Sequence, residues 1–444
     1  MKYLMPVLIL SNLVLCQVSS AAGWVVLSAW IFFFFLSLVS ACGTLFPSAR
    51  LHLAMVICFT GAAVSVLTIV TLRGLDLDLS YRPENIRTIE GTVIYDSSFT
   101  KSGNHLMKIA LTGCVTKTGD RGTASGIAAA VGKERSIVSA GIRIRLEGEF
   151  REGLFIYDRL QVLDRSVLND IRENLIVFLE SRVLGDVPDD ASLLSCQLLL
   201  GRSENNTTEL QEKSGKCGCA HVFALSGMHL SIFAGICMAL FGKGRIARVM
   251  TFPAVAAFVF IAGPRPSLIR AALFFYLFFM PLKERTVAVY CIHMILFPAT
   301  VRELGSCYGY LAVFAIVCMA PYLKAVLFQY IGRASSLVSA SLSVLVISAP
   351  VYILNNGFWN PASIIASPFA GFLAACSMLI GLLMLPFGRT EFLLQADGFV
   401  YSCMDRLFDI LMGIPTAGWI GYMVLVAFLV LLYAVNRLRH RLSR

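Results

Sequence analysis

Long apolar runs lie towards both ends of the chain, and a polar stretch with strand patterning lies between them. A helix that crosses a bilayer needs about 20 consecutive apolar residues, and many of the runs meet or approach that length. The pattern predicts an α-helical polytopic membrane protein, with N-terminal transmembrane helices in residues 1–80 and a second transmembrane domain in residues 219–444. Candidate spans lie near residues 4–20, 24–46, 51–72, 219–241, 246–262, 267–282, 286–300, 308–330, 335–354, 361–386 and 416–435.

The number of later runs conflicts with the positions of the basic loops. If the loops 242–248 and 283–285 are cytoplasmic, as the positive-inside rule indicates, simple alternation places the Arg-rich C-terminus outside. Several runs also contain Pro or Gly, and membrane proteins tolerate broken helices where the break is buried in protein or lines a wet cavity. We therefore expect one run to be re-entrant or not to span, with residues 361–386 and 397–413 as the candidates.

Residues 81–165 are rich in charged, Gly and β-branched residues. Alternation of apolar and charged residues, clearest in GIRIRLEGEF, is typical of a half-buried strand. Residues 113–136, rich in Gly, Ser, Thr and Ala, are expected to form a loose loop. Several short strands in this length favour a small inserted β-barrel, with the OB-fold as the best candidate. The predicted strands are residues 88–98, 105–111, 141–150 and 155–164.

An OB-like domain can bind oligonucleotides, but the fold alone does not fix the function. Four aromatic side chains allow two interpretations, since they can form a platform on which bases stack or fill the core of the barrel. They are Tyr95, Phe99, Phe155 and Tyr157. The exposed strand face is nearly neutral in charge. Its charged residues are Arg143, Arg145, Glu147 and Glu149.

Residues 166–218 link the strand region to the second membrane region. Apolar residues recur at helical spacing within 166–184, and charged residues occupy the other positions. This pattern predicts an amphipathic helix that is too charged to span and lies in the membrane interface. A short apolar helix over 191–201 and a polar linker over 202–218 complete the segment. The apolar positions of the first helix are Leu168, Ile171, Leu175, Phe178 and Leu179.

Composition supports the membrane assignment and narrows the function classes. Of the 444 residues, 57% are hydrophobic and only 14% are charged, whereas soluble domains carry about a quarter charged residues. The formal net charge is +10, and much of it lies in short loops and near the C-terminus. These basic segments either mark cytoplasmic loops or attract a polyanion such as nucleic acid.

The 13 cysteines offer no evident metal or disulfide framework, because most lie in apolar stretches where Cys behaves as a small hydrophobe. The one tight group is Cys217, Cys219 and His221, and a structural zinc normally has four ligands. We therefore expect no metal and no cofactor.

The stretch CAHVFALSGMHLSIFAG places two histidines and a serine in an apolar segment. Polar groups inside a membrane helix are energetically unfavourable and usually functional. On a continuous helix, His221, Ser226 and His229 would fall within an arc of about 140° and face one side. Two alternatives stand beside this: Ser226-Gly227 marks a local break, or the histidines bond to neighbouring carbonyls and only lock helices together.

A second polar feature is AGPRPSLIRAA. Pro266 is well placed as an early residue of a helix, which puts Arg265 at the helix mouth, Ser267 just inside it and Arg270 about one turn deeper. An arginine at that depth needs a partner or a water-filled path. The alternative is that its long side chain snorkels to the interface.

These segments resemble, in order and spacing, the competence domain of the ComEC family of DNA-uptake proteins. The blocks are LLLGRS, then HVFALSGMHLSIFAG, then PSLIRAA, with a weaker match over residues 339–371. One departure is that Arg202 and Ser203 follow Gly201, where the family usually has an acidic and then a basic residue. The matching positions are His221, Ala224, Ser226, Gly227 and His229 in the second block, and Pro266, Ser267, Arg270 and Ala271 in the third.

The resemblance implies a multi-pass channel in the bacterial cytoplasmic (inner) membrane that carries one strand of DNA into the cytoplasm during natural transformation. It implies single-stranded DNA and the lipid bilayer as partners, together with other competence machinery that includes a separate nuclease and a cytoplasmic motor, and a second copy of the chain. The candidates for the DNA path are His221, Ser226, Gly227, His229, Arg265, Ser267 and Arg270.

Many family members add a metallo-β-lactamase-like domain thought to degrade the other strand. The six histidines of this chain do not form the His-x-His-x-Asp-His pattern that such a domain needs. We therefore expect the lactamase-like domain to be missing, and we expect no catalytic residue and no nuclease activity. We also expect residues 81–165 to lie outside the cytoplasmic membrane. The alternatives are a transporter of another solute and a membrane-embedded hydrolase with Ser226 as nucleophile and His229 as base, although no third orienting group is evident.

Overall fold

A computed structural model of the chain describes residues 75–442, with gaps at 101–102, 135, 203–208, 224, 243, 298–299 and 301–303, together with residue 66. The helices predicted near residues 4–20, 24–46 and 51–72 lie outside the range 75–442. The chain forms two compact units. The first contains Leu75–Ala272 and Ile365–Ile414, and the second contains Leu273–Ile364 and Pro415–Arg444.

The strands of the first unit lie between Asp78 and Asp164. The four longest, β2, β4, β8 and β9, fall on the four predicted strands, although their ends differ by several residues. The bounds are Asp78–Leu79 (β1), Ile86–Val93 (β2), Ser98–Phe99 (β3), His105–Thr116 (β4), Arg121–Gly122 (β5), Ala124–Ser125 (β6), Ile127–Gly132 (β7), Arg143–Arg151 (β8) and Leu154–Asp164 (β9).

Five of these strands pair in a circuit. Strand β2 is antiparallel to both β4 and β8, β8 is antiparallel to β9, and β4 is antiparallel to β7. Strands β7 and β9 complete the circuit in parallel, with Ala129 opposite Leu154 and Val131 opposite Ile156. This order is compatible with the predicted OB-like barrel, a five-stranded Greek-key fold.

The alternating side chains of these strands form one apolar core. Ile109, Ile144 and Phe155 are completely buried, and β-branched and aromatic residues of this kind pack well on pleated surfaces. Phe99 and Tyr157 are also buried. A base-stacking platform that includes Phe99, Phe155 and Tyr157 is therefore wrong, because these three rings fill the interior.

The loop expected over residues 113–136 is also wrong. This segment contains the end of β4 and all of β5, β6 and β7, and β7 lies between β4 and β9 as an interior strand. Its sequence IAAAVG consists mostly of small residues with low strand propensity. The hydrogen-bonded neighbours on both sides impose the strand, and a single-sequence pattern does not reveal them.

Helices make up the rest of the described chain. Their bounds are Val167–Leu184 (α1), Asp190–Leu200 (α2), Glu209–Lys216 (α3), Gly227–Phe241 (α4), Arg245–Met250 (α5), Phe252–Ala262 (α6), Pro266–Tyr276 (α7), Leu282–Leu296 (α8), Leu304–Phe314 (α9), Ala320–Ile331 (α10), Ser335–Asn356 (α11), Ser363–Phe387 (α12), Glu391–Leu411 (α13) and Trp419–Leu442 (α14).

Helix α1 buries a side that contains a charge. Its buried residues are Arg172, Ile176 and Val183. The apolar side predicted to lie in the membrane interface is exposed at Leu168, Ile171, Leu175 and Phe178. The sequence pattern assigned the charged residues of α1 to the side opposite the apolar one, and one of them, Arg172, packs inside the protein.

The second unit is helical. Leu311 of α9 is buried against Val287 of α8 and Ile347 of α11. A π-helical turn over Ala315–Met319 separates α9 from α10. Trp359 and Ala417 exchange two backbone hydrogen bonds, which position the start of α14.

Four helical segments of the described chain are long and apolar enough to cross a membrane, judged by length and composition: Ala220–Phe241, Arg245–Ala262, Gly305–Asn356 and Ser363–Phe387. Helix α12 is continuous through Pro368. Most of residues 397–413 lies in α13, which carries Asp397, Asp405 and Asp409. Which run fails to span stays a prediction.

Candidate functional site

The segment with the two histidines is not one helix. A short 3₁₀ turn covers Ala220–Val222, Ser226 has an extended backbone, and α4 begins at the next residue. The single helical face expected for His221, Ser226 and His229 is therefore wrong, and the alternative of a break at Ser226-Gly227 is confirmed. His221 is exposed, whereas His229 is fully buried.

Ser226 and His229 cap the start of α4. The Ser226 Oγ accepts the Met228 N–H at 3.3 Å, and the Ser226 N–H donates to the His229 Nδ1 at 2.9 Å. This is a capping box, in which a histidine replaces the usual Glu or Gln at the third helical position. Because Nδ1 accepts this bond, a neutral His229 carries its proton on Nε2.

The same geometry bears on the hydrolase alternative. The Ser226 Oγ lies 3.1 Å from the His229 Nδ1, within the reach that a nucleophile and its base require. The single lone pair of that nitrogen, however, already accepts the Ser226 backbone N–H. Within the part of the chain that the structure describes, the buried His229 Nε2 has no hydrogen-bond partner to orient the ring. The pair is therefore arranged as a helix cap.

The first turns of α4 and α7 lie against each other. The Ser267 Oγ on α7 donates to the Leu225 carbonyl at 2.7 Å, which is two residues before α4. A Cβ atom on Gly227 would lie 3.2 Å from the Ala271 Cβ, so the glycine permits this close approach. We call this region the α4–α7 junction. It brings two helix N-termini together, and each carries a partial positive charge.

Two of the predicted arginines flank this junction. Arg265 directly precedes α7, and its Nη2 donates to the Gly201 carbonyl. Gly201 ends α2 in the left-handed conformation, with φ 71°, and a cation next to the last carbonyls of a helix is favourable. Arg270 lies on α7, one turn beyond Ser267, and is half-buried.

The Arg265 guanidinium also lies near a buried group of charges. Arg172 of α1 forms two bonds with Asp96, at 2.9 and 2.5 Å, and donates to the Phe260 carbonyl at 2.8 Å. Arg202 forms two bonds with Glu173, at 2.9 and 2.6 Å. We call Asp96, Arg172, Glu173, Arg202 and Arg265 the arginine cluster. It joins the strand region to α1, α2 and α6.

The cluster shifts the titration of its carboxyls. Burial raises the pKa of Asp96, but the hydrogen bonds and charge of Arg172 outweigh burial and hold the pKa below its ordinary value. Burial likewise acts upward on Glu173, and bonds from Arg202 and Ser139 bring its pKa below the ordinary value. Both groups are therefore ionised near neutral pH. The cluster contains two ion pairs, Arg172–Asp96 and Arg202–Glu173, while Arg265 donates to the Gly201 carbonyl.

The sequence pattern identified Arg202 and Arg265 but not their partners. Asp96 follows β2, and Arg172 and Glu173 lie in the middle of α1. The sequence pattern placed Arg172 and Glu173 on the side of α1 opposite its apolar face. Charged residues on an amphipathic helix are usually solvated, so the pattern carried no specific signal for these partners.

No group of three His, Cys, Asp or Glu side chains in the described chain is arranged to hold a metal ion. Cys217 and Cys219 are both buried. The Cys217 thiol lies 3.7 Å from the Phe408 carbonyl oxygen, and the Cys219 sulfur lies 3.4 Å from the Ser367 Oγ. These two thiols are packed between helices.

The strand domain, the long apolar helices and the polar α4–α7 junction define a membrane protein of mixed architecture, mostly helical with an inserted sheet domain. The family model described as Competence protein matches residues 198–441, more than half of the chain. The chain therefore belongs to the competence protein family, of the ComEC type, and has a role in DNA uptake for competence. Neither a curated protein nor a solved structure matches it.

Proposed function

We propose that this protein is a multi-pass channel of the bacterial cytoplasmic membrane through which a single strand of DNA enters the cytoplasm during natural transformation. The observation that supports this most directly is the α4–α7 junction. It lies inside the family-matched region, and it combines two helix N-termini with Arg265 and Arg270 at the edge of apolar segments.

The chemistry of the junction suits a phosphate backbone. Single-stranded DNA carries one negative charge for each nucleotide, and a protein that binds it must neutralise phosphates with Lys or Arg. Helix N-termini add N–H groups and a positive partial charge, which favour anions. A passing strand requires many weak contacts rather than one tight site.

The predicted path residues take different parts in this proposal. Ser226 and His229 shape the junction as a helix cap, Gly227 allows α4 and α7 to approach, and Ser267 ties them together. Arg270 is the residue that we assign to the phosphates in transit. Arg265 is already bonded to Gly201, and the exposed His221 lies before the break.

The rest of the proposal concerns the setting. Residues 81–165 lie on the outer side of the cytoplasmic membrane, away from the cytoplasm, and the chain conducts DNA without catalysis of its own. A separate nuclease, a cytoplasmic motor and a second copy of the chain are the proposed partners, in addition to lipid and DNA.

The test replaces Arg270 by Gln in the full chain, expressed in a competent host that lacks its own copy. Entry of labelled DNA into the cytoplasm is expected to fall at least tenfold, with normal amounts of protein in the membrane. Arg270→Lys is expected to recover part of the activity, because lysine keeps the charge but loses the planar two-pronged donor. Arg245→Gln is the matched control, since it removes the same charge from the exposed start of α5.

Cross-linking separates this proposal from transport of another solute. A photoreactive amino acid at position 267 is expected to capture DNA during uptake, whereas one at the exposed position 246 is not. Normal DNA entry in the Arg270→Gln variant would overturn the assignment of Arg270. Failure to capture DNA at position 267, with active protein, would overturn the proposed path.

A further inference from the structure

Three helices of the first unit meet around a buried acid. Ser195 of α2, Ser377 of α12 and Asp397 of α13 are each 0–1% exposed. We call these three residues the serine–aspartate triad. They are distant in the sequence, and they belong neither to the arginine cluster nor to the α4–α7 junction.

Small residues permit this close packing. Gly381 lies one turn beyond Ser377 on α12, and a Cβ atom there would lie 2.7 Å from the Leu199 Cδ1 and 3.3 Å from the Ser195 Cβ. Helices with small residues at their contact can approach closely and hydrogen bond across the interface. The two serine hydroxyls therefore come within bonding distance of each other and of the acid.

Three contacts, two of them short and the third slightly longer, connect the triad in a ring. The Ser195 Oγ lies 2.7 Å from the Ser377 Oγ and 2.8 Å from the Asp397 Oδ2. The Ser377 Oγ lies 3.1 Å from the Asp397 Oδ1. Distances between hydroxyl and acceptor oxygens of about 2.5–3.0 Å are ordinary for hydrogen bonds, and each such contact needs one hydrogen between the oxygens.

Counting hydrogens shows which state of the acid fits this ring. Each serine supplies one hydroxyl hydrogen, and an ionised carboxylate supplies none. With an ionised carboxylate, the two hydroxyl hydrogens serve only two of the three contacts: both serines donate to the acid, or Ser377 donates to Ser195 and Ser195 to the acid. In either arrangement one contact has no hydrogen. With a neutral carboxyl, Asp397 donates to Ser195, Ser195 donates to Ser377, and Ser377 donates back to Asp397. The neutral acid satisfies all three contacts.

Two cations on or next to the surrounding helices, Arg389 and Lys213, pair with other acids. Helix α12 has no charged residue, and α2 has Asp190. At the start of α13, Arg389 pairs with Asp189 at 3.0 Å. Towards its end, Lys213 of α3 pairs with Asp405 at 2.7 Å and with Asp409 at 2.9 Å. The remaining charged residues of α13 are Glu391 and Arg406.

Burial raises the pKa of Asp397 to about 6, although hydrogen bonds with Ser195 and Ser377 act to lower it. The negative charge of Asp189 also raises this pKa, and the positive charge of Arg389 lowers it. A buried carboxyl whose bonds do not compensate burial favours its neutral form. The direction of this shift agrees with the hydrogen count.

From the ring of contacts and the absence of a bonded cation among the described residues, we infer that the serine–aspartate triad is a proton-binding site. Its protonated form holds α2, α12 and α13 together. Loss of the proton places a bare charge on the second turn of α13, between the Arg389–Asp189 pair just before the helix and the Lys213 pairs towards its end, and loosens the helix there. Proton binding at this site requires no DNA, so the inference can be tested independently of the proposed channel.

Infrared spectroscopy on the purified full chain tests the protonation directly. The wild-type protein is expected to show a carbonyl stretch from a protonated, buried carboxyl at pH 5, which disappears with a midpoint near pH 6. Asp397→Asn is expected to remove this band. Asp405→Asn, the same change on the same helix at an acid that has a cation partner, is expected to keep it.

The melting temperature tests the consequence for packing. Wild type is expected to lose several degrees between pH 5 and pH 7.5, and Asp397→Asn to lose much less, because the Asn amide can donate to Ser195 as the neutral acid does. A wild-type spectrum without a titrating buried carboxyl overturns the inference, even if the Asn variant fails to fold. An unchanged pH profile in a folded Asn variant, or a profile that follows sodium concentration instead of pH, also overturns it.

Discussion

Two buried polar clusters of the first unit, the arginine cluster and the serine–aspartate triad, differ in how their acids are partnered. Asp96 and Glu173 each receive two bonds from a guanidinium, and the Asp96–Arg172 pair is almost completely buried on both sides. Asp397 is equally buried, but its carboxyl oxygens contact only the hydroxyls of Ser195 and Ser377 and no cation among the described residues. The same type of side chain at the same depth therefore stays ionised at mildly acidic pH in one cluster and binds a proton below about pH 6 in the other.

The difference teaches that burial alone does not identify a functional acid. A buried carboxylate with a well-bonded cation is stable in its charged state and acts as a structural joint. A buried carboxyl without one responds to pH near neutrality, because small changes around it alter its charge. In this protein the first kind joins the strand region to the helices, and the second kind lies where three helices pack.

The largest expected effect comes from breaking the better-paired cluster. Arg172→Leu leaves the Asp96 carboxylate buried without a cation, which typically destabilises a protein by about 3–5 kcal/mol. Thermal unfolding of the purified chain, followed by the loss of monodisperse protein, measures the change. Arg151→Leu is the matched control, because its pair with Glu149 is exposed and such pairs contribute about 0–1 kcal/mol.

A double variant shows whether the loss comes from the stranded charge. Arg172→Leu combined with Asp96→Leu is expected to recover much of the stability, since both charges leave the interior together. If the double variant is as unstable as the sum of its two single variants, the pair is not coupled, and the contrast between the two clusters loses its basis.

The pH dependence of stability separates the clusters by sign. The lowered pKa values of Asp96 and Glu173 give stability that is present above their ordinary values of 3.8 and 4.5 and is lost as the pH falls below them. The raised pKa of Asp397 acts in the opposite direction. Its contribution is present below 3.8 and is lost as the pH rises through about 6, a change of about 3 kcal/mol.

Unfolding free energies between pH 3 and pH 8 are therefore expected to pass through a maximum in the wild-type chain. Glu173→Gln should flatten the acidic limb, and Asp397→Asn should flatten the limb between pH 4 and pH 7. Identical profiles for the two variants would show that the clusters do not differ in the way described.

The sequence predicted the apolar helices after residue 219, the strand insert and the break at Ser226-Gly227, because each has a local signal. It did not reveal β7, whose small residues become a strand only through pairing with β4 and β9. Nor did it reveal the triad, because its members are brought together by the packing of α2, α12 and α13. Asp397, the single acid in FLLQADGFVYSC, was nevertheless a local signal of function, since a charged residue in an apolar helix is usually functional.

Ser226 and His229, which cap α4, are polar but carry no charge in this role. Substitutions of this capping pair are expected to change stability less than those in the two charged clusters. Ser226→Ala removes the oxygen that caps α4 and should destabilise the protein by about 1 kcal/mol. Ser226→Asn keeps a good cap but cannot act as a nucleophile. His229→Gln supplies the residue usual at that position and should be nearly neutral.

DNA uptake measured beside stability tests this assignment. Ser226→Asn and His229→Gln are both expected to keep most of the uptake, in proportion to the amount of folded protein. Complete loss of uptake in folded Ser226→Asn protein would instead favour the hydrolase alternative and contradict the assignment of Ser226 and His229 as a helix cap.

Gly263 makes a genetic prediction about the arginine cluster. Its φ is +91°, and a Cβ atom there would lie 2.7 Å from the Arg172 Nη2 and 2.9 Å from the Asp96 Oδ2. Any side chain at this position therefore enters the space of the ion pair and also adopts a disfavoured backbone. A screen for uptake-defective alleles should recover substitutions of Gly263, although it contributes no side chain. Second-site suppressors should shorten the ion pair without removing a charge, as Arg172→Lys does.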